Sequence, residues 1–122
     1  MKDDRSASLF MTELAVRDLP QAIAWYVDIL LLHVELVDEG RGFALLSAGV
    51  GRLALKQQDD ARISGVRLVF QVTDIEAEAR RLRERIPDLS GVVDDPEGFR
   101  SLKLLDCEGT PITLFAWAKS LD

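Results

Sequence analysis

A chain of 122 residues, 48% of them hydrophobic, has the length of one ordinary domain and enough apolar surface to bury a real core. Its formal net charge of -6 leaves no basic stripe to neutralise phosphates, which argues against a nucleic-acid or anionic-membrane partner. One cysteine, Cys107, excludes an internal disulfide and a thiolate metal cluster, and the longest all-aliphatic run, Ile29 to Leu32, falls far short of the roughly 20 residues a bilayer needs, so a soluble, reduced, cytoplasmic protein is expected.

Met1 to Ser8 is polar and is expected to fray. A strand follows from Leu9 to Arg17, with Phe10, Thr12, Leu14 and Val16 on one side and Met11, Glu13, Ala15 and Arg17 on the other. Asp18 has the position and chemistry of a helix N-cap, with Pro20 in the first turn and Gln21 where a capping box places it. Leu19, Ala22, Ile23, Tyr26 and Leu30 then recur at helical spacing as the buried stripe; Trp25 lies off it, and either a partner surface or half-burial by a loop would account for a tryptophan there. Three strands are predicted next, Leu32 to Val37, Gly42 to Ser47 and Arg52 to Gln57, separated by Asp38-Glu39-Gly40 and Gly49-Val50-Gly51.

After a polar linker, Asp59 to Gly65, the plan repeats. Val16-Arg17-Asp18-Leu19 matches Val72-Thr73-Asp74-Ile75 at a displacement of 56 residues. A strand is predicted from Val66 to Val72, and Asp74 caps a helix with Ile75, Ala79, Leu82 and Ile86 inward, a Glu76/Arg80 pair outward and Pro87 as its stop. Strands follow at Leu89 to Asp94, Arg100 to Leu105 and Pro111 to Trp117. Matching FALLSAGVGRLALK with LKLLDCEGTPITLF gives an offset of 59, which places the extra residues of the second unit between its helix and its third strand. One domain over residues 1–122 is expected, built from modules 9–58 and 66–118 with 59–65 as linker.

A strand ending V-R-D-L before an A-x-x-W-Y helix, a second strand ending V-T-D-I, and a closing L-L-D-C-E-G-T-P-I-T-L-F resemble the vicinal oxygen chelate superfamily, which includes glyoxalase I, extradiol dioxygenases and bleomycin-resistance proteins. The resemblance covers nearly the whole chain and implies an α+β fold of two βαβββ modules forming a cupped mixed sheet, with helices on the convex side and ligand or metal on the concave one. Two departures stand out. Many members have glycine where this chain has Leu31, so the first helix is expected to end differently here; Cys107 stands where the family has proline and is read as an exposed turn residue.

In metal-dependent members of that family four strands supply histidine, glutamine or glutamate. The resemblance places those four positions on Met11, Ala54, Arg67 and Thr113, none of which is a usual ligand. Glu13 is the nearest carboxylate, but two residues along a strand is roughly 6.6 Å, too far to replace Met11. His33, the only histidine, is read as a surface or half-buried side chain. No metal and no cofactor are therefore expected.

Alternation assigns Met11, Glu13, Ala15, Ala54 and Lys56, and then Arg67, Val69, Gln71, Lys103, Thr113, Phe115 and Trp117, to the concave face, and a three-residue turn at Gly109 would set Lys103 opposite Thr113. The ligand-binding residues expected from this set are Met11, Glu13, Lys56, Arg67, Gln71, Lys103, Thr113, Phe115 and Trp117. Apolar groups with Arg67, Lys56 and Lys103 as cations suit a small organic ligand, aromatic or anionic. The favoured function is a metal-free binding protein of the glyoxalase/bleomycin-resistance type, a homodimer holding its ligand in the concave sheet or at the dimer groove. The alternative is a lyase or isomerase with Glu13 as catalytic base or with a displaced divalent-metal site, and the bland reading is an Arg67/Glu13 pair that merely fills the cup.

Overall fold

Apolar residues in alternation, interrupted twice by an aspartate-capped amphipathic segment, produce in the computed structural model two four-stranded mixed sheets with one α-helix each, an α+β fold of two βαβββ modules. The structure describes residues 7–62 and 65–118, so most of the polar start of the chain and Ile63 and Ser64 of the linker lie outside the described residues. Clustering of the backbone divides the chain into two compact units, Met1–Arg62 and Ile63–Asp122.

The first unit runs β1 (Thr12–Val16), α1 (Leu19–Asp28), β2 (His33–Asp38), a 3-10 turn (Glu39–Arg41), β3 (Phe43–Ala48) and β4 (Gly51–Gln57). Its sheet order is β1-β4-β3-β2, with β1 parallel to β4 and the other pairs antiparallel. β1 starts at Thr12, paired with Leu53, three residues later than the alternation from Leu9 suggested. Asp18 accepts a hydrogen bond from the Gln21 N–H at 3.0 Å and starts α1. Leu19, Ala22 and Tyr26 are buried, and α1 packs on β3 and β4, whose Ala44, Leu46, Leu53 and Leu55 complete the core. Trp25 is half-buried, edge-on to Tyr26 at 5.0 Å, which agrees with the half-burial that its place off the stripe allowed and not with an exposed partner surface.

Leu31 does take the left-handed conformation, φ 61°, against the expectation that a leucine avoids it. The Ile29 N–H closes on Trp25 O and the Leu32 N–H reaches back to Tyr26 O at 3.1 Å, which forces the residue between them through positive φ. This conformation costs a non-glycine residue about 1–2 kcal/mol.

Gln57 ties the helix start to β4: its Oε1 accepts from the Leu19 N–H at 2.8 Å and its Nε2 donates to the Arg17 carbonyl. Arg17 Nε in turn donates to Ala61 O at 2.7 Å. Gly42, at φ 64°, brings its backbone so close to Gln57 that an added Cβ would lie 2.9 Å from that residue's Cβ.

The second unit runs β5 (Leu68–Gln71), α2 (Ile75–Arg83), β6 (Val93–Asp94), β7 (Phe99–Leu105) and β8 (Pro111–Trp117), in sheet order β5-β8-β7-β6 with β5 parallel to β8. Asp74 repeats the cap, accepting from the Ala77 N–H at 3.1 Å, and Ile75, Ala79 and Leu82 are buried against β7 and β8. The helix stops at Arg83 and not at Pro87, because the Arg85 and Ile86 N–H groups both turn back onto the Leu82 carbonyl. The expected Glu76/Arg80 pair is replaced: Glu76 lies 2.7 Å from Arg100, and Glu78 takes Arg81 at 2.8 Å. Arg100 also holds Asp94 at 2.6 Å, and this hydrogen bond, partly opposed by burial and helped by the charges of Asp94 and Glu76, raises the guanidinium pKa.

β6 is two residues long, since the Leu89 N–H is used in a turn onto Ile86 O before any ladder begins. The extra residues of the second unit do not lie between its helix and its third strand, as the offset of 59 implied. Gly42-Phe43 and Gly98-Phe99 open β3 and β7 at the same displacement of 56 as the helix caps, and the added length sits in the hairpin, where residues 106–110 replace 49–50. That longer turn is built on Asp106, a buried carboxylate accepting from the Glu108 and Thr110 N–H groups at 2.8 Å each. Cys107 is half-buried in it, not exposed as expected.

Candidate functional site

Because side chains alternate along a strand, each sheet has one face under its helix and one helix-free face. In the first unit the helix-free face carries a row formed by Glu13, Ala54, Leu45 and Leu36, and beside it Ala15, Lys56 and Phe43. Glu13 is exposed, Ala54 is fully buried, and Met11 is half-buried just ahead of β1. The cations here are engaged. Lys56 Nζ donates to Arg41 O at 2.6 Å, and Arg52 pairs with Glu35 at 3.1 Å while its guanidinium lies 4.7 Å over the Phe10 ring. His33 is exposed.

In the second unit Lys103 stands opposite Thr113, as expected, and Thr113 opposite Val69. The next row joins Gln71, Phe115 and Ser101, and the row after it pairs Trp117 with Phe99. Phe99, Phe115 and Trp117 pack edge to face, with centroid separations of 6.0, 6.1 and 5.5 Å, and Trp117 is 60% exposed. Arg67, one residue before β5, is exposed. The expected residues thus fall into two sets: Met11, Glu13 and Lys56 on the first sheet, and Gln71, Lys103, Thr113, Phe115 and Trp117 on the second with Arg67 at its edge.

Phe99 was missed. The alternation of the third strand was started at Arg100, one residue too late, although the repeated Gly-Phe at 42–43 and 98–99 carries the same displacement as the helix caps and would have included it.

The four places at which the resemblance puts metal ligands do not fit a divalent ion. Ala54 offers no lone pair and is enclosed between Glu13 and Leu45 in the ladder. Thr113 offers a neutral hydroxyl beside Lys103, Met11 a thioether, and Arg67 a cation. Among the described residues no three of His, Cys, Asp and Glu lie close enough together to hold an ion.

No protein-family model matches the sequence, and no curated protein's sequence matches it. Solved structures do. A lactoylglutathione lyase from Agrobacterium tumefaciens is 19% identical with a TM-score of 0.74 over 93% of this chain and 96% of its own. A putative glyoxalase family protein from Bacillus anthracis is 14% identical with a TM-score of 0.78 over 95% and 99%. A member of the glyoxalase/bleomycin resistance protein/dioxygenase superfamily from Sphaerobacter thermophilus is 20% identical with a TM-score of 0.73 over 91% and 98%.

The chain has the vicinal oxygen chelate fold. Identities this low establish the fold alone, and the vicinal oxygen chelate scaffold hosts several chemistries, so function has to be argued from the side chains. Within the described residues no helix is long and apolar enough to cross a membrane.

Proposed function

We propose that this chain is a metal-free small-molecule-binding protein of the glyoxalase/bleomycin-resistance type, holding an aromatic or anionic organic ligand. The observation that carries the reading is the Phe99, Phe115 and Trp117 cluster on the helix-free face of the second sheet, with an indole that is mostly exposed. Exposed aromatic rings on a rigid strand give large contact area at little entropic cost, which is the chemistry of a binding face. The test is a thermal-shift screen of the whole chain against aromatic and anionic compounds. Ligands should raise the midpoint in proportion to the logarithm of their concentration, and a broad panel without a single stabilising compound removes the reading.

The same reading includes a homodimer. The edge strand β2 exposes Val34, Leu36 and Val37 and carries no lysine or proline, whereas the corresponding edge β6 is two residues long and is followed by Asp95 and Pro96. Long apolar edges are normally covered. Light scattering after size exclusion should give twice the chain mass, and Leu36→Lys should lower it to one. No reaction is assigned: Glu13, the carboxylate that a metal-free lyase or isomerase would use, stands exposed opposite Ala54, and Glu13→Gln should leave ligand binding intact. A reducing cytoplasm as the compartment agrees with Cys107 being a thiol.

A further inference from the structure

The chain carries a net charge of -6, yet the helix-free face of its second sheet is free of acids. Its positions on β5, β7 and β8 are Val69, Gln71, Phe99, Ser101, Lys103, Leu105, Pro111, Thr113, Phe115 and Trp117, with Arg67 just ahead of β5. Of the acids flanking these strands, Asp94 and Glu76 are held by Arg100, which lies on the helix side, Asp106 is occupied by two backbone N–H groups, Asp95 accepts from the Glu97 N–H, and Glu97 stands exposed in the turn before Phe99. Among the described residues of this unit, no ion pair engages the Lys103 ammonium or the Arg67 guanidinium.

The two kinds of side chain are also sorted along the strands. The rings occupy the rows of Phe115 and of Phe99 with Trp117, and the cations and the Thr113 hydroxyl occupy the rows below them. Successive rows on one face are about 6.6 Å apart, so the centre of the ring cluster and the centre of positive charge are separated by roughly 7–13 Å. A neutral aromatic compound would use only the upper half of this face, and a small inorganic anion only the lower half.

We infer that this face is a two-part site for a single class of ligand, a flat aromatic group joined by a short flexible arm to a carboxylate, with the ring on Trp117 and Phe115 and the carboxylate at Lys103 and Thr113, Arg67 adding charge from the edge. The inference deepens the binding-protein reading and rests on it. One cation and one hydroxyl within reach match a singly charged acid better than a doubly charged phosphate, for which a bidentate or multi-donor cradle is the usual solution. The face commits to that occupant by charge: on an acidic chain it sets Lys103 and Arg67, neither in an ion pair within its own unit, directly beside the aromatic rings.

The test uses the whole chain and three probes, 4-phenylbutanoate, its uncharged amide, and hexanoate, titrated by calorimetry. The acid should bind at least tenfold more tightly than the amide or hexanoate, and raising NaCl from about 0.05 to 0.5 M should weaken the acid severalfold while leaving the amide unchanged. Lys103→Gln should bring the acid's affinity down to that of the amide without changing the amide, and Trp117→Ala should weaken both aromatic probes at least fivefold. Lys103 is exposed and in no ion pair of its unit, so the midpoint of its variant should match the parent, whereas Trp117→Ala gives up two ring contacts and is titrated well below its own lowered midpoint; Arg83→Gln on the outer side of α2 serves as the charge control. Equal binding of acid and amide, or equal losses from Lys103→Gln and Arg83→Gln, overturns the two-part site while leaving a binding protein. Failure of every compound in the thermal-shift screen overturns the binding reading itself.

Discussion

On the helix-free face of the first sheet, Lys56 donates to the Arg41 carbonyl and Arg52 lies between Glu35 and the Phe10 ring, so its cations serve the scaffold. On the second sheet the corresponding surface carries three packed aromatic rings and a lysine turned to no carboxylate of its own unit. The two halves share a plan, aspartate cap, buried helical stripe and parallel outer strand, but have separated in purpose. A duplicated fold allows this, because each sheet has its own core and its free face can change without disturbing the other.

The comparison is tested most severely at the two cores. Leu46→Ala in the first unit and Leu82→Ala in the second each remove a fully buried side chain, and each should cost about 3 kcal/mol in urea denaturation. A loss below 1 kcal/mol at either site would show that the halves are not equally packed. Asp106→Ala should cost about 2 kcal/mol by orphaning two N–H groups in a turn that has no counterpart in the first unit. Next comes the pair Gly42→Ala and Gly98→Ala. Both enter positive φ, but only Gly42 faces a Cβ at 2.9 Å, so its substitution should cost about 2 kcal/mol and that of Gly98 about 1 kcal/mol. Equal melting points for the two alanine variants would show that the contact with Gln57 yields freely. The smallest effect is a gain: Leu31→Gly should add up to about 1 kcal/mol by relieving the left-handed strain, read as a midpoint raised by a few degrees.

The parts of the fold legible in the sequence are those fixed by local chemistry. Asp18 and Asp74 cap both helices because a carboxylate at that position satisfies an N–H no other group can reach. β8 is legible to the residue because a half-buried strand alternates strictly, and the turn at Gly109, by its length, sets Lys103 opposite Thr113. What escaped depends on partners distant in sequence. The end of α2 was drawn to Pro87 because its charged face gives no stop signal, while the actual stop is a carbonyl shared by two N–H groups. Arg80 lost Glu76 to Arg100, twenty residues further along the chain, which helical spacing cannot foresee. At the candidate site, Phe115 and Trp117 are legible from alternation within β8, and Phe99 only from the Gly-Phe pair repeated at 42–43 and 98–99.

Leu31 has a meaning for how the chain can change. A leucine held at positive φ with 55% of its surface in water gains only partial burial to offset its strain, so the position is a dormant reserve of stability. A lineage that acquired glycine there would have room to accept a damaging substitution on the aromatic face, where altered ligand preference must arise, without falling below the threshold for folding.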